Sequence, residues 1–192
     1  SPEQAGRTLD LDASAANIAR ALETGQSQAE LVTQPVEPQV TAAMAGTVQI
    51  REVLASAATY YAGALENRRH NVELGVERAN GALIPPGGVY SFVDTVGAID
   101  LNSGYKVGYG IVGTSNGSVS TVPSVGGGVC QVSTTVFQAA FWAGLPIVER
   151  NWHLYWLPFY GQPPSGLTGL DATVDTDFGL DLKFKNTTDD WI

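Results

Sequence analysis

Gly126-Gly127-Gly128-Val129-Cys130-Gln131-Val132-Ser133-Thr134-Thr135 is the stretch that decides the fold class. Three consecutive glycines do not sit inside a helix or a strand; they make a turn. Beyond them apolar residues recur at helical spacing. Val136, Phe137, Ala140 and Phe141 take the inward face, and Gly144 is the stop. The stretch therefore predicts a helix that opens at Cys130, at the exit of a glycine turn.

Working outward from it, the elements after this helix read as strands. Ile147 to Tyr155 is one, carrying Glu149, Arg150 and His153. Leu170 to Val174 is another and Leu180 to Lys185 the last full one, after a Pro/Gly loop over 158–169. Asn186 to Asp190 reads as a turn and Trp191-Ile192 as the start of a returning strand. Before the glycine turn, residues 93–125 are rich in Gly, Ser and Val and predict hairpins and loops, with a strand over Val89 to Phe92 after the rigid turn Ile84-Pro85-Pro86-Gly87-Gly88. Helices are expected over Val48 to Leu65, with Ile50, Leu54, Ala57 and Tyr61 on one stripe, and over Asn67 to Asn80. Helices first and strands later predict an α+β fold, with a mainly antiparallel sheet and helices packed on it.

The first 45 residues stand apart. Arg7 to Asp12 alternates as a strand, Asp12 or Ser14 caps a helix that runs through Leu22 to Gly25, and Glu30 to Val36 reads as a second strand. This β-α-β piece is too small to bury both of its faces, so it is expected to pack on the rest or to be the remnant of a larger domain. The reading divides the chain into 1–45 and 46–192, with residues 39–46 as linker.

Composition limits the function. The 192 residues carry 10 basic and 19 acidic groups, a net charge of −9, and no basic run of the kind that binds nucleic acid. The acidity sits at the two ends, and the middle is nearly neutral. Arg68-Arg69-His70 is the one positive run. It is either the solvated start of a helix or the place where an anionic ligand is met. No apolar stretch reaches the roughly 18 residues of a membrane span. The single cysteine excludes an internal disulfide.

That cysteine is the chemical focus. A helix N-terminus presents unpaired N–H groups and the positive end of the helix dipole, both of which favour a thiolate. Gly127 and Gly128 allow close approach of a substrate, and Gln131 adds an amide donor for an oxyanion. A nucleophile needs a base and the base an orienter. Antiparallel neighbouring strands would align His153 with Asp171 beside Cys130, a Cys–His–Asp set suited to acyl transfer. Three other readings stand beside this one: Cys130 as a small buried hydrophobe, Asp171 as a turn cap, and a zinc site of Cys130, His153 and His70. The five aromatics Trp152, Tyr155, Trp156, Phe159 and Tyr160 fill a core or stack on sugar rings. The chemistry calls for no cofactor and no metal.

Several blocks, in order, resemble the VanW family, named from a vancomycin-resistance gene cluster. They are Asn67-Arg68-Arg69-His70-Asn71-Val72, Asn80-Gly81 with Pro86 to Phe92, the block from Gly126 to Thr135, Ala143-Gly144-Leu145, Ile147 to Arg150 with His153, and Gly169 to Val174. Residues 6–41 resemble, more weakly, the tail of a peptidoglycan-binding domain that often precedes VanW domains. The resemblance implies a bacterial cell-envelope protein at the extracellular face, secreted or held by an N-terminal anchor outside this chain, with peptidoglycan or another wall polymer as partner and no nucleic acid. From the residues themselves, the start at Ser1-Pro2-Glu3 and the stop on a returning strand, both ends are expected to be fragment boundaries. By position the resemblance carries Arg68, Asn71, Gln131, Ser133, Thr134 and Arg150, with Gly127 and Gly128, into a substrate-binding role around the Cys130, His153 and Asp171 set. Many members have a His-x-His pair followed by serine where this chain has Asn151, His153 and Leu154, so a mechanism needing both histidines does not carry over. Two functions are expected: cysteine-dependent acyl transfer or amide hydrolysis on stem peptides, or a non-catalytic peptidoglycan-binding module with a structural cysteine. A lone thiol in an oxidising exterior is a liability unless it is buried or used, so exposure of Cys130 separates them.

Overall fold

The structure, a computed structural model, describes residues 5–38, 41–113, 117–157, 160 and 168–192. The chain forms two compact units, Ser1–Val48 and Gln49–Ile192.

The first unit holds β1 (Gly6–Leu9), α1 (Leu11–Glu23), β2 (Thr33–Val36) and the short α2 (Ala42–Ala45). The order is β-α-β, yet β1 and β2 pair antiparallel, with Arg7 opposite Pro35. A two-stranded ribbon is all edge, so proline's missing N–H costs no ladder bond there. The cap of α1 is Asp10, not Asp12 or Ser14: its side chain accepts from the Ala13 N–H at 3.0 Å. Ser14 instead bonds Val32 across the unit.

In the second unit the elements are α3 (Glu66–Ala79), β3 (Val89–Ser91), α4 (Phe92–Val96), β4 (Val107–Gly113), β5 (Val119–Val125), α5 (Val129–Trp142), β6 (Ile147–Glu149) and β7 (Lys183–Lys185). One sheet has the order β3-β7-β6 and the other is the hairpin β4-β5. Every pairing among the described residues is antiparallel, and helices pack on the sheets, which is an α+β fold. The core gathers Val72 of α3, Phe92 and Val96 of α4, Val129, Val132, Phe137 and Ala140 of α5, and Ala172, Val174, Leu182 and Phe184 of the C-terminal strands.

The helix expected over Val48 to Leu65 is absent. The segment has no regular structure between α2 and α3. Thr59 lies along α5 instead, with its hydroxyl 2.7 Å from that of Thr135 and accepting from Gln131 Nε2 at 3.0 Å. Its stripe of apolar residues is a weak local preference that these tertiary bonds outweigh. Ile50 and Leu54 stay exposed. The strands after α5 are shorter than expected. Beyond β6 the ladder survives as one antiparallel bridge, Asn151 with Thr173, and a second joins Asp175 to Leu180. Phe141, expected inward, is exposed at the far end of α5. Much of the expected Pro/Gly loop over 158–169, with Phe159, lies outside the described residues.

Two glycines set the start of α5. A Cβ on Gly127 would lie 2.2 Å from the Tyr109 backbone nitrogen, so only glycine lets the turn press against β4. Gly128 is the N-cap at φ 119°, in the left-handed region, and its Cα packs on Arg68. Asn71 locks the same turn from the other side. Its buried amide donates to the carbonyls of Lys106 and Gly127 and accepts from the Lys106 N–H.

Candidate active site

A cleft of about 510 Å³ opens over the N-terminus of α5. The hairpin forms one wall through Tyr109, Ile111 and Thr121, the 173–177 segment another, and Arg68, Cys130 and His153 line it.

Cys130 is the second residue of α5 and is partly buried. The backbone turns around it use the N–H of Val129, to Gly126, and of Gln131, to Gly128. The N–H groups of Gly128 and Cys130 are not among those bonds. The sulfur lies 3.2 Å from Thr173 Oγ1 and 3.5 Å from the Val174 carbonyl oxygen.

His153 and Asp171 face each other because of register. Asn151 opposes Thr173, so two residues on, with the two-residue side-chain period of an extended chain, His153 opposes Asp171. The carboxylate takes the imidazole in a double grip: Oδ2 accepts from the His153 backbone N–H at 2.8 Å and from Nδ1–H at 2.6 Å. That leaves Nε2 as the nitrogen for the sulfur. The ring draws the thiol of Cys130 down in pKa, and the thiol in turn draws the ring up.

What holds this set together is α5 itself. One turn after Cys130, the Ser133 and Thr134 hydroxyls donate to the Ala172 carbonyl at 2.6 and 3.1 Å, and the Ala172 N–H donates back to Thr134 at 3.0 Å. Ala172 stands between Asp171 and Thr173, so the helix that carries the thiol also docks the segment carrying its partners. Arg150 anchors that segment from behind. It donates to the Asp171 and Gly169 carbonyls at 2.7 and 2.6 Å, pairs with Asp171 Oδ1 at 3.2 Å and lies over the Phe137 ring.

The electrostatics follow. Burial pushes the Cys130 thiol up, but His153, then Thr173 and the Val174 backbone, outweigh it and leave the thiol below its ordinary 9.0. Burial opposes charge on His153, and Asp171 and Cys130 overcome that and raise it to about 9. Asp171 likewise meets burial, which raises it, and is held below its ordinary value by its two bonds to His153, with the charges of His153 and Arg150 adding to them. Both shifts move the pair toward a thiolate beside an imidazolium.

The residues expected to bind substrate divide. Gly127, Gly128 and Arg68 line the cleft with Cys130 and His153, while Asp171 reaches it only through its bonds to His153. Asn71, Ser133 and Thr134 are fully buried and spend their polar atoms on backbone, so they position rather than contact. Arg150 belongs to Asp171. Gln131 is not an oxyanion donor: its Nε2 is committed to Thr59, and its Oε1 accepts from Arg68 at 2.7 Å. His70 lies against the Gly104 carbonyl, and the described residues hold no group of His, Cys, Asp and Glu side chains placed to hold a metal. Glu149 joins Lys183 and Asp181 in a separate network.

Two residues escaped the sequence. Thr173 touches the sulfur; its place two residues from Asp171 puts it on the same face of an extended segment, and that was the available signal. Tyr160 is buried with its ring 5.6 Å from that of His153. Nothing in a run of five aromatics singles it out.

The fold and the cleft thus define an α+β domain in which a hydrogen-bonded His153–Asp171 pair shares a cleft with Cys130 on a glycine-capped helix. The model of the VanW-like protein family matches residues 67–192, and the chain belongs to that family. It is 34% identical over 162 residues to the uncharacterized protein YoaR of Bacillus subtilis (strain 168), covering 84% of this chain and 49% of that protein. It is 34% identical over 125 residues to the vancomycin B-type resistance protein VanW of Enterococcus faecalis (strain ATCC 700802 / V583), covering 65% of this chain and 42% of that protein. The chain spans about half the length of these curated relatives or less. No solved structure matches.

Proposed function

We propose that this domain breaks and transfers amide bonds of peptidoglycan stem peptides through Cys130, on the outer side of the bacterial membrane. The observation that carries the reading is the double grip of Asp171 on His153 beside a thiol held below its ordinary pKa. A relative named for vancomycin resistance directs the substrate to the cell wall.

In the first step the Cys130 sulfur attacks the amide carbonyl carbon. The oxygen turns toward the N–H groups of Gly128 and Cys130 at the start of α5, which have no backbone acceptor among the described residues. The C–N bond breaks, and the imidazolium of His153 gives its proton to the leaving amine. A thioester remains. Water or an acceptor amine then attacks it and gives a proton to His153, and the thiolate leaves. Asp171 keeps the ring in the tautomer that both proton transfers need and takes no proton itself.

A second reading, a binding module with a structural cysteine, is favoured by the rest position of the sulfur against Thr173 and Val174. One experiment separates the two. Muropeptides from digested sacculi are incubated with the protein and the intact mass is followed. An adduct on Cys130 that disappears in Cys130→Ser supports transfer. Binding of the same muropeptides with no adduct and no product, together with resistance of Cys130 to iodoacetamide at neutral pH, supports the module.

A further inference from the structure

Gln49 to Tyr60 has no regular structure, and none of its backbone N–H and C=O groups makes a hydrogen bond among the described residues. Its side chains nevertheless keep an order. Over 55–61 the burial alternates: Ala55, Ala57, Thr59 and Tyr61 are partly buried, while Ser56, Ala58 and Tyr60 are exposed. A period of two is that of an extended chain. Thr59 pins this chain to α5 through its side chain alone, by the bonds to Gln131 and Thr135. The stretch is a strand without a sheet, with a bare row of donors and acceptors along each edge.

Its first part, 49–55, lines a groove of about 560 Å³ with Ile84, Val136, Ala139, Ala140, Phe184 and Trp191. The groove shares no lining residue with the cleft over the N-terminus of α5. Ile84 and Ile192 beside it exchange both backbone bonds, at 2.8 and 3.2 Å, so that pair is already a rung of a ladder. The 49–55 backbone is the unpaired one. An alkyl chain would cover the apolar side chains of the groove but match none of these backbone groups. An extended peptide matches both: one edge bonds the bare strand, and alternate side chains reach the apolar lining. The charged groups of the lining are Arg51, Glu52 and Asp190. Arg51 pairs with Asp190 at 3.8 Å, which leaves Glu52 without an ion pair among the described residues. A basic residue on the occupant complements that charge.

We infer that this groove takes an extended segment of a partner protein, apolar at every second position and with a basic residue between, which adds to 49–55 as a second strand. The inference does not rest on acyl transfer at Cys130.

The test uses a fluorescein-labelled heptapeptide in which valine alternates with threonine and one lysine. The control has the same composition with its valines in one block. Fluorescence anisotropy on the whole chain measures both. The alternating peptide should bind about 10-fold more tightly or better, the effect of one further valine on the apolar lining. Two substitutions then probe the backbone. In an extended chain residues 53 and 54 point their N–H groups to opposite edges, and neither N–H is bonded in the free protein. Val53→Pro and Leu54→Pro are each compared with the alanine variant at the same position. One proline should weaken the alternating peptide by a further 3- to 10-fold or so, roughly the loss of one hydrogen bond, and the other should leave it unchanged. Glu52→Gln should weaken it about 2-fold at low salt. Equal or absent binding of the two peptides overturns the inference. So do prolines that act alike, which would make the groove an apolar pocket only. A dimer of the free protein in sedimentation velocity, dissolved by one proline and not by the other, also overturns it and gives the edge to a second copy of this chain. An affinity unchanged in Glu52→Gln removes the basic residue from the partner. Circular dichroism identifies a variant that has failed to fold; Arg51→Pro then replaces Val53→Pro, and Glu52→Pro replaces Leu54→Pro, on the same two edges.

Discussion

Replacing Cys130 by serine should change how the stability of the second unit depends on pH. His153 is raised from 6.5 to about 9. A raised histidine stabilises the fold fully below 6.5 and ceases to as pH rises through about 9. Cys130 is lowered from 9.0, so it stabilises above 9.0 and loses that contribution as pH falls through its folded value. Above 6.5, and above the folded value of Cys130, up to about 9 the folded pair holds one proton, on the imidazole. The unfolded pair also holds one, on the sulfur. No net proton is taken up on folding, and the pair contributes no slope. Serine has no such proton to lose. In Cys130→Ser the folded imidazolium carries a proton that the unfolded chain lacks, and stability falls by about 1.4 kcal/mol per pH unit above 6.5. The fall ends at the variant's own histidine pKa. Cys130 supplies part of the raise, so that point lies below 9 and the fall stops short of the full span from 6.5 to 9. Urea unfolding at a series of pH values between 6.5 and 9 measures it. Tryptophan fluorescence reports this unit alone, because Trp142, Trp152, Trp156 and Trp191 all lie within it. Titrations common to both proteins cancel in the difference. Superimposable profiles would refute the reasoning, since they would mean that thiol and imidazole exchange no proton in the folded state.

Asp171→Asn removes the grip on Nδ1 and the partner of Arg150; thioester formation, followed by intact mass, should slow by about 100-fold or more. Thr173→Val removes the hydroxyl 3.2 Å from the sulfur, and the midpoint of the pH profile for iodoacetamide labelling should move upward while the thermal midpoint stays close to that of the parent. Asn71→Ala orphans the Lys106 N–H and two carbonyls around the glycine turn; a loss of roughly 2–4 kcal/mol in urea unfolding is expected.

Much of the site was legible before any coordinate. The glycine run, Cys130 and the apolar spacing after it are local facts, and a helix start depends on the few residues around it. The pairing of His153 with Asp171 was legible for a related reason. Antiparallel ladders have a period of two, so two strands placed side by side bring residues of matching parity to one face. The helix expected over Val48 to Leu65 failed because its periodicity was real but its partners were not local: Thr59 bonds α5 across more than seventy residues of sequence.

Sequence by itself determined the fold class, the thiol at a helix opening and the pairing of His153 with Asp171. Tertiary structure alone decided which polar groups remain free. Gln131 is consumed by Arg68 and Thr59, Ser133 and Thr134 by the Ala172 peptide, and Arg150 by Asp171, while Arg68 alone of Arg68, Arg69 and Arg150 pairs with no carboxylate among the described residues. The reason is physical. A side chain's capacity to bond is written in its chemistry, but whether that capacity is spent depends on atoms brought near it by distant parts of the chain.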